Sequence, residues 1–424
     1  MQKSSSQSHK KRTPVQMVLF QLRNVGIFFV VLSPIFLFIF SNNTYMDSLP
    51  NVTTPFTHFN GLDPSRQQYI SWETGSASNA TLYLGTAPDN IPFYWTNGSM
   101  VTIHRMKIDG LQPDTQYYYQ VKSTSANGTY TSPVGTFKTA PVAAVPFTAA
   151  FFSDTQLLWG IGHYGQIAND IGGIKGLSFV SDIGDLSEWS NSQPDWNLFM
   201  KDSSAWMGKD SFAPVMGNHD SQFNSTSQGY DDLANFEYLK YLGFSYSTGQ
   251  WANHFFYSFN WSNVQFVVGE IADGSQENLA LMHQSMWLNQ TFAKGQDKAF
   301  RVLLFHRCPF SSTGNDPYLY NQIAPIVNTY NVSLVMFGHD HHYERFLYEN
   351  HTYLCLGGGG GMQDTAFNVV NESQYLNLGP SYTIIAFKVD HMVVKTYSEQ
   401  NALIEAFTLV EQGHNVVLQE GGDA

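Results

Sequence analysis

Residues 334–345 read Leu-Val-Met-Phe-Gly-His-Asp-His-His-Tyr-Glu-Arg. Leu334 to Phe337 form a short apolar run closed by glycine, the pattern of a fully buried strand. Beyond Gly338 the character changes at once. His339 and His341 alternate along an extended segment, so both rings can point to one side. Taken alone, the pair is as readily structural as metal-ligating. Four other apolar runs end in the same way. Phe147 to Phe152 closes on Ser153-Asp154, and Leu177 to Val180 on Asp182 and Gly184-Asp185. Phe212 to Met216 closes on Gly217-Asn218-His219-Asp220, and Val302 to Phe305 on His306. Longer segments between them read partly as helix. Five buried strands that each deliver polar residues at the C-terminal end indicate an α/β fold whose strand ends gather a site.

The residues delivered are of the types that hold cations. Two divalent ions bridged by a hydroxide need carboxylates, imidazoles and amides from several loops. One ligand must reach both ions, and a two-oxygen carboxylate does so; Asp185 is the candidate. Gly184 before it lets the backbone turn sharply beside the ions. A lone Gly-Asp is usually a turn and a lone Gly-Asn-His usually a loop. The ordered set of Asp154, Asp185, Asn218, His306, His339 and His341 turns them into one expectation.

The strings Gly338-His339-Asp340-His341-His342-Tyr343-Glu344-Arg345, Gly217-Asn218-His219-Asp220 and Gly184-Asp185 resemble those of the calcineurin-like metallophosphoesterases. The closer resemblance is to purple acid phosphatases that carry an N-terminal fibronectin-like domain, over roughly residues 58–410. It implies a four-layer αββα sandwich, a binuclear metal centre and hydrolysis of phosphate esters through a metal-bound hydroxide. By position, the first metal takes Asp154, Asp185 and His341, and the second takes Asp185, Asn218, His306 and His339. His219 faces the leaving group as proton donor or charge stabiliser, and Asp220 orients it.

The departures from that family set further expectations. Its Gly-Asp-x-x-Tyr supplies the tyrosinate that binds ferric iron; here the tyrosine position is Glu188, followed by Trp189. Glu188 reads as solvent-facing or as a partner of ligands rather than a ligand. Gln156 stands where generic members place a first-metal histidine, and Asp154-x-Gln156 resembles a manganese-dependent ADP-ribose pyrophosphatase branch. Gln156 is either a ligand or a hydrogen-bonding neighbour. An amide oxygen is harder than imidazole, which favours manganese at the first site, with iron and zinc as the other candidates. The protein should not be purple, and its optimum should lie nearer neutral than strongly acid. Of the other histidines, His342 should point to the opposite side of the chain from its ligating neighbours, lining the cleft. His163, His254 and His283 read as core or surface residues, with substrate contact as the alternative, and His104 reads as structural.

The 424 residues allow two domains plus appendages, and the net charge of −13 disfavours nucleic acid as a partner. Residues 1–24 read as a basic cytosolic tail. Val25 to Phe40 is an apolar run of 16 residues, an uncleaved signal anchor or a cleaved signal peptide. As an anchor it places the remainder in the lumen or outside the cell; cleaved, it leaves a secreted or lysosomal protein. Eleven Asn-x-Ser/Thr acceptors, at 42, 51, 79, 97, 127, 224, 260, 289, 331, 350 and 371, support that route, against about five by chance. A linker at 41–57 precedes a fibronectin type III-like sandwich at 58–140. The catalytic domain spans 146–410 and a tail 411–424. Cys308 and Cys355 read as two buried thiols, with one disulfide as the alternative.

Three functions fit the residues. The first is a phosphomonoesterase acting on a small phosphate ester, the second a phosphodiesterase or nucleotide pyrophosphatase. The third is an inert, membrane-anchored adhesion or binding protein, which the intact ligand set disfavours.

Overall fold

The structure is a computed structural model that describes residues 53–158, 161–221, 237–243, 255–270, 277–314, 316–365, 367–412 and 415–419. The basic tail, the apolar run at 25–40, Asn42, Asn51, Asn224, His254 and the side chain of His283 lie outside what is described. Among the described residues, no helix is long and apolar enough to cross a membrane.

The first strands are β1 (Phe56–His58), β2 (Gln68–Gly85), β3 (Phe93–Ile108), β4 (Gln116–Ser125), β5 (Gly128–Thr131) and β6 (Gly135–Lys138). β2 pairs antiparallel with both β3 and β4, and Ile70, Trp72, Leu82, Val121 and Phe137 fill the core between them. This is the expected β-sandwich. The two runs seen in the sequence at 69–72 and 81–84 are halves of one strand. Register shifts between Glu73 and Ser78 bend it, and that lets it serve both layers. His104 is structural as expected: it stacks on Trp72 at 4.8 Å and bonds Ser78 at 3.0 Å.

β7 (Phe147–Phe152), β8 (Phe179–Asp182) and β9 (Ser211–Phe212) run parallel in a second region of the same sheet. The other sheet contains β10 (Tyr257–Trp261), β11 (Val264–Val268), β12 (Phe300–Leu304), β13 (Leu334–Phe337), β14 (Tyr343–Tyr348), β15 (His351–Leu356) and β16 (Ser373–Asn377). β17 (Ser381–Phe387), β18 (His391–Ser398), β19 (Leu403–Gln412) and β20 (Asn415–Gln419) return to the first sheet, where β17 pairs antiparallel with β7.

The helices are α1 (Tyr164–Gly173), α2 (Gln193–Met207), α3 (Asn218–Ser221), α4 (Glu237–Tyr241), α5 (Glu277–Lys294) and α6 (Pro317–Tyr330). Ser192 caps α2 and Asp316 caps α6, each through a side-chain oxygen that accepts the backbone N–H three residues on. Alternation along the strands assigns the faces. Phe151, Phe179, Phe266, Val302 and Met336 point between the two sheets. Phe152 and Val180 point to α1 and α2, while Leu303 and Val335 point to α5 and α6. The order is helix, sheet, sheet, helix. Burying each of these side chains contributes about 1.5–3 kcal/mol.

Two boundaries differ from expectation. The tail expected from 411 carries the end of β19 and all of β20, which pair antiparallel; Val416, Val417 and Leu418 supply the β-forming run that extends the sheet. At the other end, β1 lies partly in the expected linker. It pairs antiparallel with β2 of the sandwich and parallel with β9 of the catalytic region, so one sheet runs through both. Phe59, just beyond β1, packs edge-on against Phe259 at 4.8 Å and Phe179 at 6.0 Å, inside the catalytic core. Residues 50–424 form one compact unit.

Candidate metal centre

The C-terminal ends of β7, β8, β12 and β13, with the loop after β9, converge on one buried pocket. Three of the residues there adopt left-handed backbone: Asp154 at φ 64°, Asp185 at φ 57° and His339 at φ 73°. Such geometry disfavours side chains with a Cβ and is typical of sites where function dictates the turn. Gly184 (φ 99°) shows why glycine precedes the bridging candidate, since a Cβ there would lie 2.6 Å from His306 Nδ1. At Gly338 a Cβ would lie 2.5 Å from Asp154 Oδ2.

Asp185 is the centre of the cluster. Its Oδ2 lies 3.1 Å from His306 Nε2, 3.3 Å from Gln156 Nε2 and 4.0 Å from His219 Nε2. Its Oδ1 accepts the His219 backbone N–H at 2.8 Å. Asp154 Oδ1 is 3.4 Å from His341 Nε2 and 3.8 Å from His306 Nε2, while Oδ2 accepts the His339 backbone N–H at 2.8 Å. His339 Nδ1 lies 2.9 Å from Asn218 Oδ1. Gln156 Nε2 is also 3.2 Å from His341 Nε2. All seven expected metal positions therefore adjoin one pocket, and ligand atoms of Asp185, His306 and His339 fall within 4.8 Å of one another.

Two tautomers are set by the backbone. His306 Nδ1–H donates to the Ile183 carbonyl at 2.7 Å, and His341 Nδ1–H donates to the Met362 carbonyl. Each Nε2 is left facing the carboxylates, as the nitrogen a cation would take once its proton is displaced, the arrangement seen around ligating histidines. Asp154 Oδ1, Gln156 Oε1 and His306 Nε2 are three of the fourteen buried side-chain atoms, among the described residues, that have no hydrogen-bond partner. Orphaned donors and acceptors of these types fit a cation site.

Electrostatics point the same way. Burial alone would lower the His306 pKa, but Asp185 and Asp154 overcome it and raise the value to about 10. His341 rises to about 9 against burial, through its 3.4 Å contact with Asp154 Oδ1 and that carboxylate's charge. Both rings hold protons near neutral pH when no cation is bound. Cation binding must therefore expel them, so affinity should climb with pH up to about 9–10. The same shifts stabilise the metal-free fold fully below the ordinary histidine pKa of about 6.5, and that contribution is lost as pH rises toward 10. Calorimetric metal titration at pH 7 in buffers of differing ionisation heat should show release of about two protons; release of none would contradict the donor assignment.

Asp220 does not do what the sequence suggested. Its carboxylate accepts backbone N–H groups of Asp185 (2.9 Å), Leu186 (3.0 Å) and Gly217 (2.9 Å), with Ser187 at 3.4 Å. It shapes the loop that presents Asp185. Burial first, and Asp185 second, push its pKa up to about 7. The His219 ring is oriented instead by the Glu188 carbonyl, which accepts Nδ1–H at 2.8 Å. Asp220→Ala would leave buried N–H groups without an acceptor. We expect metal affinity and activity to fall together by about 10–100-fold, read by metal titration. A loss confined to substrates with poor leaving groups would restore the role of orienting His219.

Residues 56–139 match the family described as the purple acid phosphatase N-terminal domain, and residues 147–343 match the calcineurin-like phosphoesterase family. The chain belongs to the calcineurin-like phosphoesterases, in their purple acid phosphatase-like form. It is 25% identical to Purple acid phosphatase 23 of Arabidopsis thaliana over 71% of this chain and 73% of that protein. It is 28% identical to Purple acid phosphatase 22 of the same plant, over 65% of this chain and 62% of the relative. The fold matches the purple acid phosphatase PPD1 from yellow lupin (Lupinus luteus) seeds with TM-score 0.66 and 16% identity, covering 85% of this phosphoesterase and 74% of that chain. It also matches the structure of PhoD with TM-score 0.64 and 14% identity, covering 88% and 93%. Family membership implies a binuclear divalent metal centre, and the donor set fits one.

The remaining expectations in this phosphoesterase resolve unevenly. Glu188 does not enter the cluster; its carboxylate lies 3.8 Å from His219 Nδ1. His342 points away from the ligand side, but it is fully buried rather than lining the cleft. It contacts Glu344 at 3.0 Å and Asp364 at 3.3 Å. Asp364 in turn accepts the His341 backbone N–H at 2.7 Å, so a partly buried ionic network braces the histidine loop. No sequence signal singled out Asp364. His163 lies at the surface, paired with Glu399 at 2.6 Å.

Proposed function

We propose that this chain is a binuclear metal-dependent hydrolase of small phosphate esters. The observation that carries the reading is the convergence of Asp154, Asp185, Asn218, His306, His339 and His341 from separate strand ends. On this reading Asp154, Asp185 and His341, with Gln156, hold the first ion. Asp185, Asn218, His306 and His339 hold the second. When bound, the ion pair supplies an acidified water and neutralises phosphoryl charge. The chain's own residues do the rest. Asp185 presents one carboxylate to both positions, and Asp220 fixes its loop. The Glu188 carbonyl holds His219 Nδ1–H, so Nε2 faces the cleft and can hold a proton for the departing ester oxygen.

Manganese is our choice for the first site, because Gln156 brings an amide where imidazole is softer, and no tyrosine stands at Glu188. Metal-stripped protein should be reloaded separately with Mn²⁺, Zn²⁺, Fe²⁺ and Mg²⁺ and assayed on aryl monoesters, aryl diesters and ADP-ribose. We expect monoester hydrolysis, highest with Mn²⁺ near neutral pH, and no mid-visible charge-transfer band. Faster turnover of diesters or ADP-ribose would favour the second reading, which the Gln156 amide beside Asp185 and His341 motivates. Metal binding without turnover of any ester would leave the binding-protein reading.

The catalytic region is assigned outside the cytosol. All eight described acceptor asparagines are at least partly accessible; Asn331 is half-buried and the other seven are exposed. Glycosidase treatment of protein from a secretory host should lower its apparent mass. An unchanged mobility would remove the support for this address.

A further inference from the structure

Cys308 and Cys355 lie far apart in sequence and together in space. Both are buried and unpaired, and their sulfurs are 3.9 Å apart. Cys308 sits two residues beyond His306, in the loop after β12. Cys355 is on β15, paired in register with Phe337 of β13, the strand that leads into His339. The two thiols reach the same loop. Cys308 Sγ–H donates to the Gly338 carbonyl at 2.7 Å, and Cys355 Sγ–H donates to the Asp340 carbonyl at 3.3 Å. Those carbonyls flank His339 on either side. From the other direction, the Gly338 N–H donates to the His306 carbonyl at 2.8 Å. The thiol pair therefore lies under the junction of the two loops that carry His306, His339 and His341.

We propose that Cys308 and Cys355 are a cross-linking site, closing to a disulfide that ties the His306 loop to the strand behind the His339–His341 loop. Closing the 3.9 Å gap to a bond of about 2 Å requires each sulfur to move by about 1 Å. One thiolate attacks an external disulfide of the glutathione type and releases one thiol. The second cysteine then displaces the other thiol from the mixed disulfide. Two protons and two electrons leave the cysteine pair, and the external disulfide is reduced to two thiols. Because both sulfurs are buried in the folded chain, an external reagent reaches them during folding rather than after it. Formation in the cell rests on the extracytosolic assignment; the geometry itself does not.

The test separates the two. Full-length protein is refolded from denaturant in a reduced/oxidised glutathione buffer with metal present, then denatured without reductant and alkylated. We expect no alkylated cysteine, a Cys308–Cys355 linked peptide, and an intact mass lower by two hydrogens. Two alkylated thiols would overturn the proposal whatever the compartment. Protein from a secretory host, treated alike, reports on the compartment alone. For the bracing role, the oxidised protein and protein refolded with metal under reducing conditions are challenged with a chelator. Metal loss should be about tenfold faster where the bond is absent. Equal rates would show that the bond, if formed, does not support the ligand loop. Glycan occupancy and ester hydrolysis are read independently, so failure of the cross-link is distinguishable from failure of the enzymatic reading.

Discussion

Asp185→Asn should lower turnover of any phosphate ester by on the order of 10³-fold, about 4 kcal/mol of barrier, while leaving the fold intact. The substitution keeps size and shape, and the new amide can still accept the His219 backbone N–H that Asp185 Oδ1 holds at 2.8 Å. What is lost is a charged oxygen among His306, Gln156 and His219. Asp185 opposes burial with the charge of His306, then that of His219, and these hold its carboxyl well below the usual range. That is the mark of a group kept ionised in a dry site. On the proposed assignment, two ions would then lose their shared anionic ligand. Metal content by elemental analysis should fall below two per chain, and proton release on metal titration should shrink. Full metal content with full activity would end the binuclear reading.

His219→Asn is expected to act differently. On the proposed reading it removes a proton donor, not an ion. Turnover should fall by about 10²–10⁴-fold on esters with poor leaving groups and much less on activated aryl esters, with metal content unchanged. Burial would lower the His219 pKa, but Asp185 and the hydrogen bond to the Glu188 carbonyl raise it overall; bound cations push in the opposite direction. If the protonated ring is the active form, the rate falls as pH rises through its pKa. The variant should lack that basic limb. A parallel loss on all leaving groups, with an unaltered pH profile, would reduce His219 to a binding residue.

The sequence displayed the donors better than it displayed their supports. Asp154, Asp185, Asn218, His306, His339 and His341 were legible because each follows a short apolar run, and strand ends are where such folds gather chemistry. The roles around them depend on contacts that no local pattern encodes. Asp220 is held by backbone N–H groups of Asp185, Leu186 and Ser187, up to 35 residues away in the chain, as well as by that of nearby Gly217. His219 is held by a main-chain carbonyl, which any residue type at 188 would provide. Asp364 reaches His341 and His342 from a glycine-rich loop with no periodicity. β1 is three residues long, too short to register as a strand, and its parallel partner β9 is distant in the chain. The proximity of Cys308 and Cys355 comes from the parallel order of β12, β13 and β15, which spacing alone does not reveal.

That brief strand has a practical consequence. A catalytic fragment trimmed to begin at residue 146 would lose β1 and Phe59 together. β9 would then present unsatisfied amides and carbonyls at a raw border, and the aromatic interior would be left with a hole. Such borders recruit neighbouring chains, so the truncated enzyme should precipitate where the longer one stays dispersed. The sandwich, which carries none of the chemistry, would then serve with β1 as the cap over that border of the hydrolytic half.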